Sequence, residues 1–200
     1  MAKGEGLRDR MTPTKKERTN KSGSISKSKG QATGRVETTI KALIADLASH
    51  DDVTREKARH SLVAKGRQCV PWLTETLRNG KYLMRWEAAK ALGQIAAPES
   101  APVLVEALED NEFDVRWLAA EGLIKLNVKG LKSLLHALMK KADSGFFREG
   151  AHHVIHDLAK GALRKPLGPV LASLEDVEMT IEAPEAAFRA LEMLEKDEAF

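Results

Sequence analysis

The chain has 200 residues, 42% hydrophobic, 30% charged and only 4% aromatic, with a formal net charge of +3. That is enough chain for one real core, and no apolar run approaches the roughly 18–20 residues of a membrane span. No apolar segment follows the basic residues at the N-terminus, which speaks against a secretory signal, and the single cysteine, Cys69, cannot form an internal disulfide and suggests a reducing, cytoplasmic setting.

Residues 1–36 hold ten Lys and Arg against three acids, Glu5, Asp9 and Glu17, a balance of +7 that leaves −4 on the remainder. Their apolar side chains are few and lack a period, so they cannot bury enough surface to offset ordering entropy. A disordered basic tail is expected. It either solvates the protein or contacts an acidic surface such as nucleic acid, although no aromatics are interleaved for base stacking.

From about Glu37 the period becomes helical: Ile40, Leu43, Ile44 and Leu47 follow i, i+3, i+4, i+7 spacing. His50-Asp51-Asp52 breaks it and supplies capping groups for the next helix. A repeat then emerges. Met84-Arg85-Trp86-Glu87-Ala88-Ala89-Lys90-Ala91-Leu92 is echoed by Val115-Arg116-Trp117-Leu118-Ala119-Ala120-Glu121-Gly122-Leu123. Arg55, Arg85, Arg116 and Arg148 occupy one slot of four copies, at drifting steps of about thirty residues, as in a stacked repeat array. Between these helices lie Cys69–Leu77, Ala101–Leu108, Leu131–Met139 and Leu167–Leu174, with Pro71 and Pro102 near the starts of two. The last helix, Glu185–Glu195, has no arginine in the slot, as expected of a terminal cap. The approximate units are 37–65, 66–96, 97–127, 128–160 and 161–200.

On the helix around Met84, residues 84, 88, 91, 92 and 95 share one face, which stacking neighbours would bury. The four arginines are expected to form a structural ladder to neighbouring loop carboxylates. The repeated aromatics are the most informative candidates. Trp86 and Trp117 share a slot, and Tyr82 and Phe113 precede them by one turn. Ala89 and Gly93 are predicted on the same outward face as Trp86, allowing a partner close approach. Outward Trp and Tyr would anchor an interface. Alternatively, each ring packs flat on the neighbouring helix. Trp72 reads as core.

In the fourth unit Glu149, His152, His153 and His156 fall on one helical face. They are a weak candidate for a divalent metal and otherwise a polar patch, since the spacing departs from the His-Glu-x-x-His motif. Cys69 lies among apolar neighbours and reads as a buried, inert thiol. No phosphate loop or nucleophile elbow is present.

The pattern V-R-x-x-A-A-x-A-L-G-x-I, then a Pro-bearing helix ending A-L-x-D, resembles the HEAT-like repeat of the phycobilisome lyase type. Met84–Ile95 with Ala101–Asp110 carry it closely, and Val115–Leu126 less so. The resemblance implies an all-α fold, a right-handed α-solenoid (α-α superhelix) of about five hairpins. It also implies that the Trp86 and Trp117 face lines a concave surface. That family includes bilin lyase subunits, an iron-dependent hydroxylase that uses His-Glu pairs, and adaptors. No His-Glu dipeptide occurs here.

The function expected is a non-catalytic, cofactor-free scaffold that holds a protein partner on its concave face. Tyr82, Trp86, Phe113 and Trp117 would be its apolar anchors, and Lys90, Glu121, His153 and His156 the polar surround. Two alternatives stand beside it. One is nucleic-acid association through the tail. The other, by resemblance alone, is a subunit of a lyase or a metal-dependent oxidoreductase.

Overall fold

The computed structural model describes residues 23–175 and 182–196. The chain divides into two units, residues 1–36 and 37–200. Residues 1–22, most of the expected tail, lie outside the described residues; the first described helix is α1 (Gly23–Asp46).

The second unit is an all-α solenoid, helical throughout with no strand among the described residues. Ser49-His50-Asp51 interrupts the chain after α1, and Asp51 caps α2 (Asp52–Lys65) by accepting a 3.0 Å bond from the Thr54 N–H. Next come α3 (Val70–Asn79), with Pro71 in its first turn, and α4 (Tyr82–Ile95). The short α5 (Ala101–Glu106) tightens into a 3₁₀ turn before α6 (Phe113–Leu126). The array closes with α7 (Val128–Lys141), α8 (Gly145–Leu158), α9 (Arg164–Glu175) and α10 (Glu182–Lys196).

The helices form two layers. In one, α2 packs on α4, α4 on α6 and α6 on α8; in the other, α3 meets α5 and α5 meets α7. The repeat explains this. Three residues after each arginine stand Ala58, Ala88, Ala119 and Ala151, and seven after stand Leu62, Leu92, Leu123 and Ile155, all buried. The alanines admit the facing helix and the large aliphatics fill the space behind.

The end of the array breaks this order. α10, not α9, packs on α7, while α9 packs on α8 and α10. Ala183, Ala187, Ala190, Leu191 and Leu194 of α10 are buried there. The last hairpin covers an apolar helix face that would otherwise meet water.

A second departure concerns Ala89 and Gly93. Both are buried, not outward as predicted. A Cβ built on Gly93 would sit 3.0 Å from the Gly122 Cα of α6. The two glycines bring α4 and α6 backbone to backbone, so this face is consumed by lateral packing inside the layer.

The turns from the first layer to the second share one device. Gly66, Ala96, Asn127 and Gly161, one per turn, all have positive φ. The left-handed residue lets the chain reverse tightly after each first-layer helix.

Candidate functional site

The outer face of the first layer carries the repeated aromatics, and the structure treats them unequally. Phe113 and Trp117 of α6 are 55% and 47% exposed, whereas Trp86 of α4 is half-buried against the core. Trp86 is covered by its own helix, with Lys90 Nζ 4.4 Å from the ring centroid. Trp117 meets the next helix, stacking on His153 of α8 at 4.5 Å between centroids and 30° between planes. The slot five residues after the arginine explains this: it holds Glu121 in α6, the helix beside Trp86, but an imidazole in α8. Tyr82 is tied across helices as well, donating its hydroxyl to Asp114 Oδ2 at 2.9 Å. That bond raises the Tyr82 pKa, because the carboxylate favours the protonated phenol.

Between α6 and α8 these side chains line a groove of about 290 Å³. Phe113, Trp117 and Ala120 form one wall, and Phe146, Glu149, Gly150, His152, His153 and His156 the other, with Arg116 at one end. The aromatic pair and the histidine cluster, two separate sets in the sequence, thus share one cleft. Phe146, 52% exposed, completes the apolar surface. Sequence reading missed it because it sits one residue off the aromatic slot, aligned with Leu83 and Asp114. Its ring lies under the Arg116 guanidinium, 4.1 Å from centroid to Cζ.

The polar members pair outward from the cleft. His153 Nε2 is 3.1 Å from Glu121 Oε1, while His152 faces Glu175 at 3.7 Å. The His152 and His156 rings lie 6.0 Å apart. Of the weak metal candidate Glu149, His152, His153 and His156, His152 and His153 thus face different carboxylates. Among the described residues no group of three or more His, Cys, Asp or Glu is placed to hold a metal ion.

The arginine series makes mainly local bonds. Arg55 reaches the Ser49 carbonyl at 2.7 Å, Arg85 the Gly80 carbonyl at 3.2 Å and Arg116 the Asp110 carbonyl at 2.8 Å. Each pins the turn before its own helix. Arg85 also makes the expected fork onto a neighbouring loop carboxylate, Asp110, at 2.7 and 2.9 Å. Arg148 reaches the Leu174 carbonyl at 3.3 Å. Arg55 further contacts Asp52 and, at 3.6 Å, Glu87.

Glu87 belongs to a buried network that sequence reading did not find. Its carboxylate lies 2.8 Å from Arg59 Nε, and Arg59 also reaches Gln94 at 3.2 Å, joining α2 to α4. Arg59 and Glu87 are each only 4% exposed. Arg59 occupies the slot of Ala89 and Ala120, so a charged residue in an alanine slot was the available signal. Cys69 is buried, and burial pushes its thiol pKa up, which leaves it a poor nucleophile.

Residues 36–124 match the family model for HEAT repeats, which supports a HEAT-like repeat protein. No curated protein matches the chain. No helix among the described residues is long and apolar enough to cross a membrane.

Proposed function

We propose that this protein is a non-catalytic scaffold that captures a protein partner in the groove between α6 and α8. The observation that carries the reading is the cluster of Phe113, Trp117 and Phe146, three half-exposed rings lining one cleft. Large aromatics are costly to leave wet, and they are the residues that dominate interface energetics when a partner covers them. The HEAT-repeat match points the same way, since repeat arrays commonly use their extended surfaces to bind other proteins.

The partner chemistry follows from the walls. An apolar side chain from a helix or loop of the partner fills the space between Trp117 and Phe146. Arg116 and His156 at the margins take its backbone or carboxylate oxygens. Tyr82, Trp86 and Lys90 lie one helix further along the same face and extend the contact without anchoring it. In the family picture this face is the concave one.

The test compares the wild type with Trp117→Ala/Phe146→Ala as immobilised full-length bait. Phe188→Ala serves as a control, because Phe188 is 49% exposed on α10, outside the groove. Capture of a defined partner that survives in the Phe188 variant and is lost in the groove variant supports the proposal. Equal capture by all three, with matching circular dichroism, refutes it.

A further inference from the structure

The two edges of the array treat charge differently. At the edge holding the N-termini of α4, α6 and α8, cations meet acids: Arg78 with Glu106, Arg85 with Asp110 and Lys141 with Glu109. The opposite edge holds the positive-φ turns at Gly66, Ala96, Asn127 and Gly161. Its first two turns are joined by Arg67 and Glu99 at 3.0 Å. Its last two are not neutralised. Around Asn127 stand Lys125, Lys129 and Lys132, and around Gly161 stand Lys160, Arg164 and Lys165, all exposed. Across residues 125–132 and 157–165 six cations stand against Asp157, and the C-terminal turn of α10, packed on both α7 and α9, adds Glu192 and Glu195 against Lys196, which leaves +4. Asp157 is itself taken by Lys160 at 2.9 Å, which holds its carboxyl pKa down. Neither an ion pair nor a hydrogen bond engages the other five side chains among the described residues.

These two turns end neighbouring helices. α6 packs on α8, and packed helix axes lie about 8–10 Å apart. Lys125 and Lys160 therefore stand near one another, while the C-terminal turn of α10, which packs on both α7 and α9, lies between Lys129 and Lys132 on one side and Arg164 and Lys165 on the other. The positive ends of α7 and α9 open on the same edge and add to its field.

We infer that this edge binds the phosphodiester backbone of a nucleic acid, without sequence preference. The site is separate from the α6–α8 groove and uses none of the residues of the basic N-terminal segment. The absence of bulky apolar side chains decides against a lipid surface. None of the exposed large hydrophobic residues falls within 125–132 or 157–165, so nothing there inserts among acyl chains. No aromatic in either segment stacks on bases, which leaves phosphate contacts alone.

The experiment is fluorescence anisotropy of a labelled duplex DNA titrated with the full chain at several salt concentrations. Five phosphate contacts give a log K against log salt slope of about −4 to −5, and each neutralised cation removes about 0.9. Lys125→Gln/Lys129→Gln/Arg164→Gln/Lys165→Gln should lower the slope magnitude by about 3 to 4 and weaken low-salt binding at least ~10-fold. All four positions are exposed, and an unchanged thermal midpoint verifies folding. A parallel variant, Lys15→Gln/Lys16→Gln/Lys21→Gln/Lys27→Gln, separates the tail from the edge. An unaltered slope in the edge variant, loss confined to the tail variant, or tighter binding to phosphatidylserine vesicles than to the duplex would each overturn the inference.

Discussion

Single residues in this protein are constrained mainly by what the next helix presents. Arg59 and Glu87 illustrate it. Removing one partner of a buried ion pair strands the other charge, typically at about 3–5 kcal/mol. Glu87→Ala should therefore lower unfolding free energy by about that much in urea titration, while Arg59→Leu/Glu87→Leu recovers most of it. Gly93 is constrained sterically. Gly93→Ala places a methyl 3.0 Å from the Gly122 Cα, so α4 and α6 must separate, at about 1–3 kcal/mol on the same titration. Ala96 offers the opposite case. It is exposed at φ 49 and ψ 38, a conformation that costs an L-residue energy but glycine little. Ala96→Gly should raise the thermal midpoint, by an amount matching up to about 1 kcal/mol.

Residue slots were the most legible part of the sequence. The alanines at 58, 88, 119 and 151 repeat because every inter-layer contact needs a small residue there. The lateral contacts were illegible for a related reason. A helix inside a two-layer array is buried on more than one side, so Ala89 and Gly93 fall off the main stripe and are still buried, Gly93 against α6. The cleft was half legible. Trp117 and the His152–His156 cluster were each visible, but their stacking depends on the offset of α8 against α6, which no one-dimensional spacing contains.

At the scale of elements, α10 is the part whose place was least readable. Its amphipathic pattern is plain, yet nothing in that pattern says that it covers α7 and leaves α8 to α9. Leu191, 4% exposed, anchors it, and Leu191→Ala should cost about 2–4 kcal/mol of local stability. Because each unit touches only its neighbours, that loss should raise hydrogen exchange first in α7, α9 and α10 and leave α4 protected. Uniform acceleration across all helices would show one indivisible core. The second-layer ion pairs set an acid response. Bonding to Arg78 and to Lys141 holds the Glu106 and Glu109 carboxyls below their usual range. Their folded pKa values lie beneath the unfolded ones, so the stabilisation is complete above the unfolded value and disappears as pH falls through the folded one. Both pairs are substantially exposed, so each contributes a few tenths of a kcal/mol to about 1 kcal/mol. Glu106→Gln/Glu109→Gln should flatten the fall of the melting temperature below about pH 5.

At the scale of the whole molecule, the array of residues 37–200 leaves outer helix faces and turn edges for other work. One first-layer cleft is lined by aromatic rings and one edge by unneutralised cations, with different chemistry and no shared residue. The central claim is that the cleft between α6 and α8 is where a protein partner sits. Site-specific photo-crosslinking tests it most directly, with p-benzoylphenylalanine replacing Phe146 in one full-length protein and Phe188 in another. The account predicts a discrete covalent adduct from position 146 that disappears when Trp117→Ala is added, and none from position 188. Equal adducts from both positions, or one from 188 alone, would contradict it.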